Sequence, residues 1–92
     1  VLVSDELRRL ERVHVEPSAE TNQIVAQSGG APIERAVPAI QLLRRPDMTL
    51  ATLYQLCPPE VSLDFETREQ VEIRAKYQGY MDRQQRDIDR FK

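Results

Sequence analysis

The stretch Asp64–Lys92, DFETREQVEIRAKYQGYMDRQQRDIDRFK, decides the fold. It holds no proline, and its apolar residues recur every three or four positions, the period of an α-helix. Asp64 is suited to cap it, because a carboxylate just ahead of a helix accepts an otherwise unpaired backbone N–H of the first turn. The spacing therefore predicts one long helix of about 27 residues, from Phe65 to the end. At about 100° per residue, Ile73, Tyr77, Tyr80, Met81, Gln84, Ile88 and Phe91 share one stripe, which is expected to be buried against another element. Val71 and Ala75 fall almost opposite, so the first half of the helix is expected to pack on two sides. Lys76, Arg83 and Arg90 line up at heptad spacing with Arg86 beside them, a basic stripe. Glu72–Lys76 and Asp82–Arg86 are spaced as i, i+4 ion pairs, each worth about 0.3 kcal/mol. Gly79 in mid-helix costs about 1 kcal/mol relative to alanine. Either a neighbouring helix packs closely there, or a partner or phosphate approaches the backbone.

Working back from Asp64, Pro58-Pro59 closes a short helix carrying Leu50, Leu53, Tyr54 and Leu56, with Thr49 as its cap. Before it, Pro38 suits the first turn of a helix containing Ile40, Leu42 and Leu43, which stops at Arg45 because Pro46 disfavours helical geometry in its predecessor. Ser18 caps a helix over about Ala19–Gln27 that buries Ile24 and Val25, and Ser28–Pro32 reads as a loop. Asp5–Arg12 has helical composition. No segment alternates long enough to argue for a sheet. The expected fold is all-α, a small helical bundle of short helices plus one long C-terminal helix, forming a single domain over residues 1–92.

Composition narrows the function. The chain has 92 residues, 40% apolar and 30% charged, with no Trp, so its core is thin and a domain of this size is marginal alone. Thirteen Lys+Arg against fifteen Asp+Glu exclude a polybasic protein that binds through gross positive charge. Charge is uneven: residues 47–67 carry four acids and no base, while residues 68–92 carry seven bases and five acids. Any polyanion contact is therefore expected in the last quarter. A single Cys excludes an internal disulfide and fits a reducing compartment. No apolar run approaches the roughly 20 residues that span a bilayer, and no secretory signal is visible. The chain opens Val1-Leu2-Val3 and stops inside a periodic run, which reads as part of a longer protein.

No catalytic constellation emerges. Gly29-Gly30 lacks the neighbours of a phosphate loop or a dinucleotide fold and reads as a turn. His14 between two valines has no nucleophile beside it, and Cys57 before Pro58 reads as a small core thiol. Arg8, Arg9 and Arg12 read as a solvated face. Arg44-Arg45 can either bond the last carbonyls of their helix or grip phosphate or carboxylate through bidentate contacts. RNA duplexes are held largely through phosphate and shape, for which Lys76, Arg83, Arg86 and Arg90 are suitable types. Tyr77 and Tyr80 can stack on bases, but their phase puts them on the stripe expected to be core.

Two blocks are more specific than composition. One is Leu42-Leu43-Arg44-Arg45-Pro46-Asp47-Met48-Thr49. The other runs Glu69-Gln70-Val71-Glu72-Ile73, then Lys76-Tyr77, Gly79-Tyr80 and Arg83-Gln84-Gln85. At this spacing, with Val15-Glu16-Pro17-Ser18, they resemble the C-terminal region of the glucose-inhibited division protein A family. That family is the FAD-binding subunit of the enzyme that adds carboxymethylaminomethyl to the wobble uridine of tRNA. The resemblance covers most of the chain and implies a cytoplasmic bacterial protein, homodimeric as a whole, whose FAD and NADH sites lie in preceding domains. It implies that this region is a helical domain without chemistry, cofactor or metal of its own, which helps to hold tRNA and dock the GTPase subunit of the same complex. The residues expected to touch tRNA or a partner are Arg44, Arg45, Lys76, Gly79, Arg83, Arg86 and Arg90. The competing expectation is a purely structural or oligomerisation scaffold with no RNA contact.

Overall fold

The computed structural model describes residues 2–91. In chain order the elements are α1 (Leu2–Arg12), β1 (His14–Val15), α2 (Ala19–Gln27), β2 (Val37–Pro38), α3 (Ala39–Leu43), α4 (Leu50–Leu53) and α5 (Phe65–Arg90). The architecture is the expected all-α bundle of short helices against one long C-terminal helix. No described helix is long and apolar enough to cross a membrane.

Local chemistry sets the helix starts. Ser18, Thr49 and Asp64 sit in extended backbone, and each side chain accepts the N–H of the residue three positions on. The Asp64 carboxyl lies below its usual range because the Thr67 side chain and the Thr67 N–H both hydrogen-bond to it. α2 ends in a Schellman turn: Gly29 N–H donates to Ala26 O and Gly30 N–H to Val25 O, at 3.0 and 3.2 Å. Gly29 adopts φ 91°, a left-handed conformation that favours glycine.

Three local expectations change. α1 begins at Leu2 rather than Asp5. The β-branched Val13–Val15 segment is extended, and its last two residues pair antiparallel with β2, His14 with Pro38 and Val15 with Val37. Pro38 consequently stands just outside α3 with ψ 138° instead of inside its first turn. His14 is exposed, its ring Nδ1 3.0 Å from the Arg12 carbonyl oxygen.

The core runs from Leu10 and Val25 through Leu42, Leu43, Met48 and Leu53 to Val71, all at most 1% exposed. α5 docks with Val71, Ala75 and Gly79 inward. The stripe expected to be core faces away. Ile73, Tyr77, Tyr80 and Ile88 are 50%, 65%, 56% and 49% exposed, and Phe91 is 87% exposed. Packing is thus on one side of the helix, the side with small residues. Small side chains let the α5 backbone come close to α1 and α3, which a row of Ile and Tyr would prevent.

Arg9 is not part of a solvated face. It is 8% exposed, and its Nε and terminal nitrogen donate to the two oxygens of Glu6 at 2.7 and 2.9 Å. The Tyr54 hydroxyl also donates to Glu6. Arg9 reaches the Cys57 carbonyl at 3.5 Å, tying α1 to the segment after α4. Burial raises the Glu6 carboxyl, but bonds from Arg9 and Tyr54 outweigh it and hold the pKa below the ordinary value. Burial and the Glu6 bond push the Tyr54 hydroxyl well up. The Cys57 thiol, also buried, is raised as well, which matches a core role.

Candidate nucleic-acid interface

The site forms where the turn between α3 and α4 lies across α5. Helices of five and four residues leave carbonyls and N–H groups that they cannot pair internally. α5 supplies the missing partners from a polar row, Glu72, Lys76 and Arg83, beside the buried small residues. Glu72 Oε1 accepts the Leu50 N–H at 2.6 Å, adding a second cap to α4. The Lys76 ammonium donates to the Leu43 carbonyl at 2.8 Å and also to the carbonyls of Arg45 and Met48. Arg83 donates to the Arg44 carbonyl at 3.3 Å. Three side chains spread over about three turns of one helix thereby hold a loop 22 to 39 residues distant in sequence.

Lys76 is accordingly half-buried, with its three protons directed inward. Burial lowers its pKa, opposed by the charges of Glu72 and Asp47. The expected Glu72–Lys76 ion pair gives way to separate bonds from each side chain to the backbone of the turn. Asp82 likewise takes the Gln78 amide at 2.8 Å. Gly79 meets the turn directly. A Cβ there would stand 2.5 Å from the Arg44 carbonyl oxygen and 3.1 Å from Arg44 Cβ. The missing side chain at Gly79 is what lets α3 and α5 approach.

The remaining cations gather around this contact. Arg44, Arg45, Arg83 and Arg86 line a cleft of about 370 Å³ together with Gln41, Gly79 and Asp82. Arg45 donates to the Ala31 carbonyl at 2.7 Å, holding the loop after α2 against the turn. Arg44 Nε is buried with no hydrogen-bond partner. Arg86 is exposed. Arg90 lies one turn further on, 74% exposed, with Asp87 4.0 Å away. Of the seven expected residues, six meet at one place and Arg90 extends the line.

Sequence reasoning missed Glu72 as a cap and Asp82 as the acceptor of the Gln78 amide. The signal for both was their placement one turn from Lys76 and Arg86, which was read as local pairing. Gly29 and Gly30 are spent on the end of α2 and face Asp47, Arg45 and Val25, so they offer no cradle for a flavin pyrophosphate. Among the described residues, no group of three or more His, Cys, Asp or Glu could hold a metal ion.

A family model described as the tRNA modifying enzyme MnmG/GidA C-terminal helical domain matches residues 2–85. Curated relatives carry the name tRNA uridine 5-carboxymethylaminomethyl modification enzyme MnmG. The protein from Exiguobacterium sibiricum is 40% identical over 88 residues, 96% of this chain and 14% of that protein. That from Syntrophobacter fumaroxidans is 38% identical over 90 residues, and that from Bacillus mycoides 36%, each covering 98% of this chain. The chain spans about 14% of the length of these relatives.

Proposed function

Because the chain belongs to the MnmG/GidA C-terminal helical domain family, we propose that it is the RNA- and partner-binding helical domain of an FAD-dependent tRNA wobble-uridine modification enzyme. On this reading the flavin and NADH chemistry, and the homodimer contacts, belong to the rest of the longer cytoplasmic protein. The observation that carries the proposal is the gathering of Arg44, Arg45, Arg83 and Arg86 at the α3–α5 contact, with Arg90 beyond them. Guanidinium groups on a rigid helix suit contact with a phosphate backbone, since each offers a planar fork of donors. Lys76 and Gly79 serve the interface by holding the turn on α5.

The test is fluorescence anisotropy of labelled tRNA titrated with the chain at several salt concentrations. Charge reversal at Arg83 and Arg86 is expected to weaken binding and to lower the salt slope by about two, one per lost phosphate contact. Unchanged binding would remove the basis for the assignment.

A second reading, a scaffold that docks protein without RNA contact, is favoured by the exposed stripe Ile73, Tyr77, Tyr80, Ile88 and Phe91. The GTPase subunit of the modification complex is the partner proposed for that face. Self-association in sedimentation, abolished by Tyr77→Glu, would instead assign the stripe to a second copy.

A further inference from the structure

The cleft at the α3–α5 contact has a lining unlike that of a protein-docking groove. Gln41, Arg44, Arg45, Asp82, Arg83 and Arg86 surround it with Gly79, and no large apolar side chain contributes. Protein interfaces use arginine as well as buried aromatic and apolar anchors, so a protein partner here would have to engage through carboxylates, without an apolar seat. Contacts to nucleic-acid phosphates are polar and charge-assisted, which is what four guanidinium groups against one carboxylate provide.

One atom in this place lacks a partner. Buried side-chain nitrogens in folded proteins are almost always hydrogen-bonded, and a buried donor without an acceptor calls for an explanation. Arg44 Nε is the one such side-chain atom among the described residues. Its neighbours are already committed in part. Arg83 reaches the Arg44 carbonyl at 3.3 Å, and Arg45 reaches Ala31 O at 2.7 Å. Asp82, the one acid of the lining, is engaged by Gln78. An acceptor arriving between Arg44 and Arg86 would meet the exposed Arg86 guanidinium, with Arg83 one turn away, and would reach the covered Arg44 Nε–H only on a shift of the Arg44 side chain.

We infer that the cleft bounded by Arg44, Arg83 and Arg86 binds a single phosphate of an RNA backbone, gripped by Arg44 from the α3 turn and by Arg83 and Arg86 from α5. The inference rests on the RNA reading above and makes it specific to one phosphate. Because its donors come from two elements clamped together by Lys76, the site depends on the docked geometry as well as on charge.

The experiment follows the arginine Nε–H resonances of the ¹⁵N-labelled chain by NMR while tRNA, inorganic phosphate or an oligoglutamate peptide is added. It is paired with anisotropy titrations of Arg86→Gln, Arg44→Lys and the exposed α1 control Arg8→Gln. Selective shifts of the Arg44, Arg83 and Arg86 signals with tRNA support the site. Arg86→Gln is then expected to bind about four- to fivefold more weakly at 0.15 M salt, with a slope lower by just under one. Arg44→Lys is expected to weaken binding although it keeps the charge, and Arg8→Gln to leave it unchanged. Backbone spectra of the variants away from the cleft establish that the fold persists, and Arg86, being exposed, carries the test if Arg44→Lys disturbs packing. Binding of tRNA with an undiminished slope in Arg86→Gln and undiminished affinity in Arg44→Lys overturns the phosphate site and leaves the RNA reading standing. No tRNA binding by the unmodified chain overturns both. Saturation by inorganic phosphate at concentrations that displace tRNA only in part identifies a small-anion site, and tighter binding of the peptide identifies a protein carboxylate. Either result overturns the inference.

Discussion

Replacing Gly79 by alanine opposes two effects of known size. In an exposed helix the change stabilises by about 1 kcal/mol, because alanine has the higher helix propensity. Here the new methyl would stand 2.5 Å from the Arg44 carbonyl oxygen, about 0.9 Å inside ordinary van der Waals contact. The carbonyl cannot swing aside freely. Its neighbours Leu43 and Arg45 both accept from Lys76, so the turn is pinned on either side of the clash. Overpacking of this kind costs about 1–3 kcal/mol even where some relaxation is possible. With an immobile backbone atom opposite, the upper part of that range applies. Subtracting the propensity gain leaves a net destabilisation of about 1–2 kcal/mol, a fall in Tm of roughly 5–15 °C for a domain of this size. Urea and thermal unfolding followed by circular dichroism measure it directly. Gln85→Gly, on the exposed part of the same helix, calibrates propensity in place and is expected to cost about 0.5–1 kcal/mol. A Gly79→Ala chain more stable than the parent would refute the close approach of α3 and α5, and with it the geometry of the arginine cleft.

Two further outcomes follow from the packing. Tyr77→Ala and Tyr80→Ala are expected to change stability by less than about 0.5 kcal/mol each, whereas Val71→Ala costs about 2 kcal/mol. The tyrosines are exposed and Val71 is fully buried. Equal losses at all three in urea unfolding would mean that α5 is rotated from the described orientation. Glu6 gives a pH signature: a carboxyl held below its ordinary 4.5 in the fold contributes stability that is present above 4.5 and lost as pH falls through the lower folded value. Stability of the parent should therefore drop on acidification below about pH 4.5, and Glu6→Gln should flatten that slope, the Asp64 cap leaving a remainder of the same sign. An identical acid limb in both proteins would contradict the Glu6–Arg9–Tyr54 arrangement.

What was legible in the chain is what is decided locally. The caps at Ser18, Thr49 and Asp64 and the break before Pro46 act within one helical turn, so each could be read from a few neighbouring residues; α4, expected to run through Leu56 to Pro58, instead ends at Leu53 and continues as turns. The orientation of α5 could not. Periodicity identifies a face but not its destination, and the face with the largest side chains was expected inward. The inward face instead carries Val71, Ala75 and Gly79 and a polar row whose partners are backbone atoms of residues 43–50. Nothing within a turn of Lys76 shows that its charge is spent on carbonyls about 30 residues earlier. The same holds for Glu6 and Tyr54, 48 positions apart. At the candidate site, residue types suited to phosphate were readable, and so was a reason for Gly79. The division between residues that build the site and residues that face outward appears only once α3 is set against α5.

The Leu-Leu-Arg-Arg-Pro-Asp-Met-Thr block now has a physical account. Leu42, Leu43 and Met48 fill the core, Thr49 starts α4, and the arginines stand at the turn between them. The second block supplies the side chains that hold that turn. Two stretches distinctive as sequence are therefore the two halves of one contact.

α5 is 26 residues long, about 39 Å end to end. From Gln84 to Arg90 every residue is exposed, while the anchoring contacts end at Arg83. The last two turns thus stand clear of the bundle as a lever whose pivot is the α3 turn. A short isolated helix is marginal in water, so the order of this arm is inherited from the docked half by continued backbone hydrogen bonding. A rotation of a few degrees at the pivot displaces the tip by ångströms. Any energetic coupling between the tip and the arginine cleft is reciprocal, so a partner that fixes the tip also acts on the cleft.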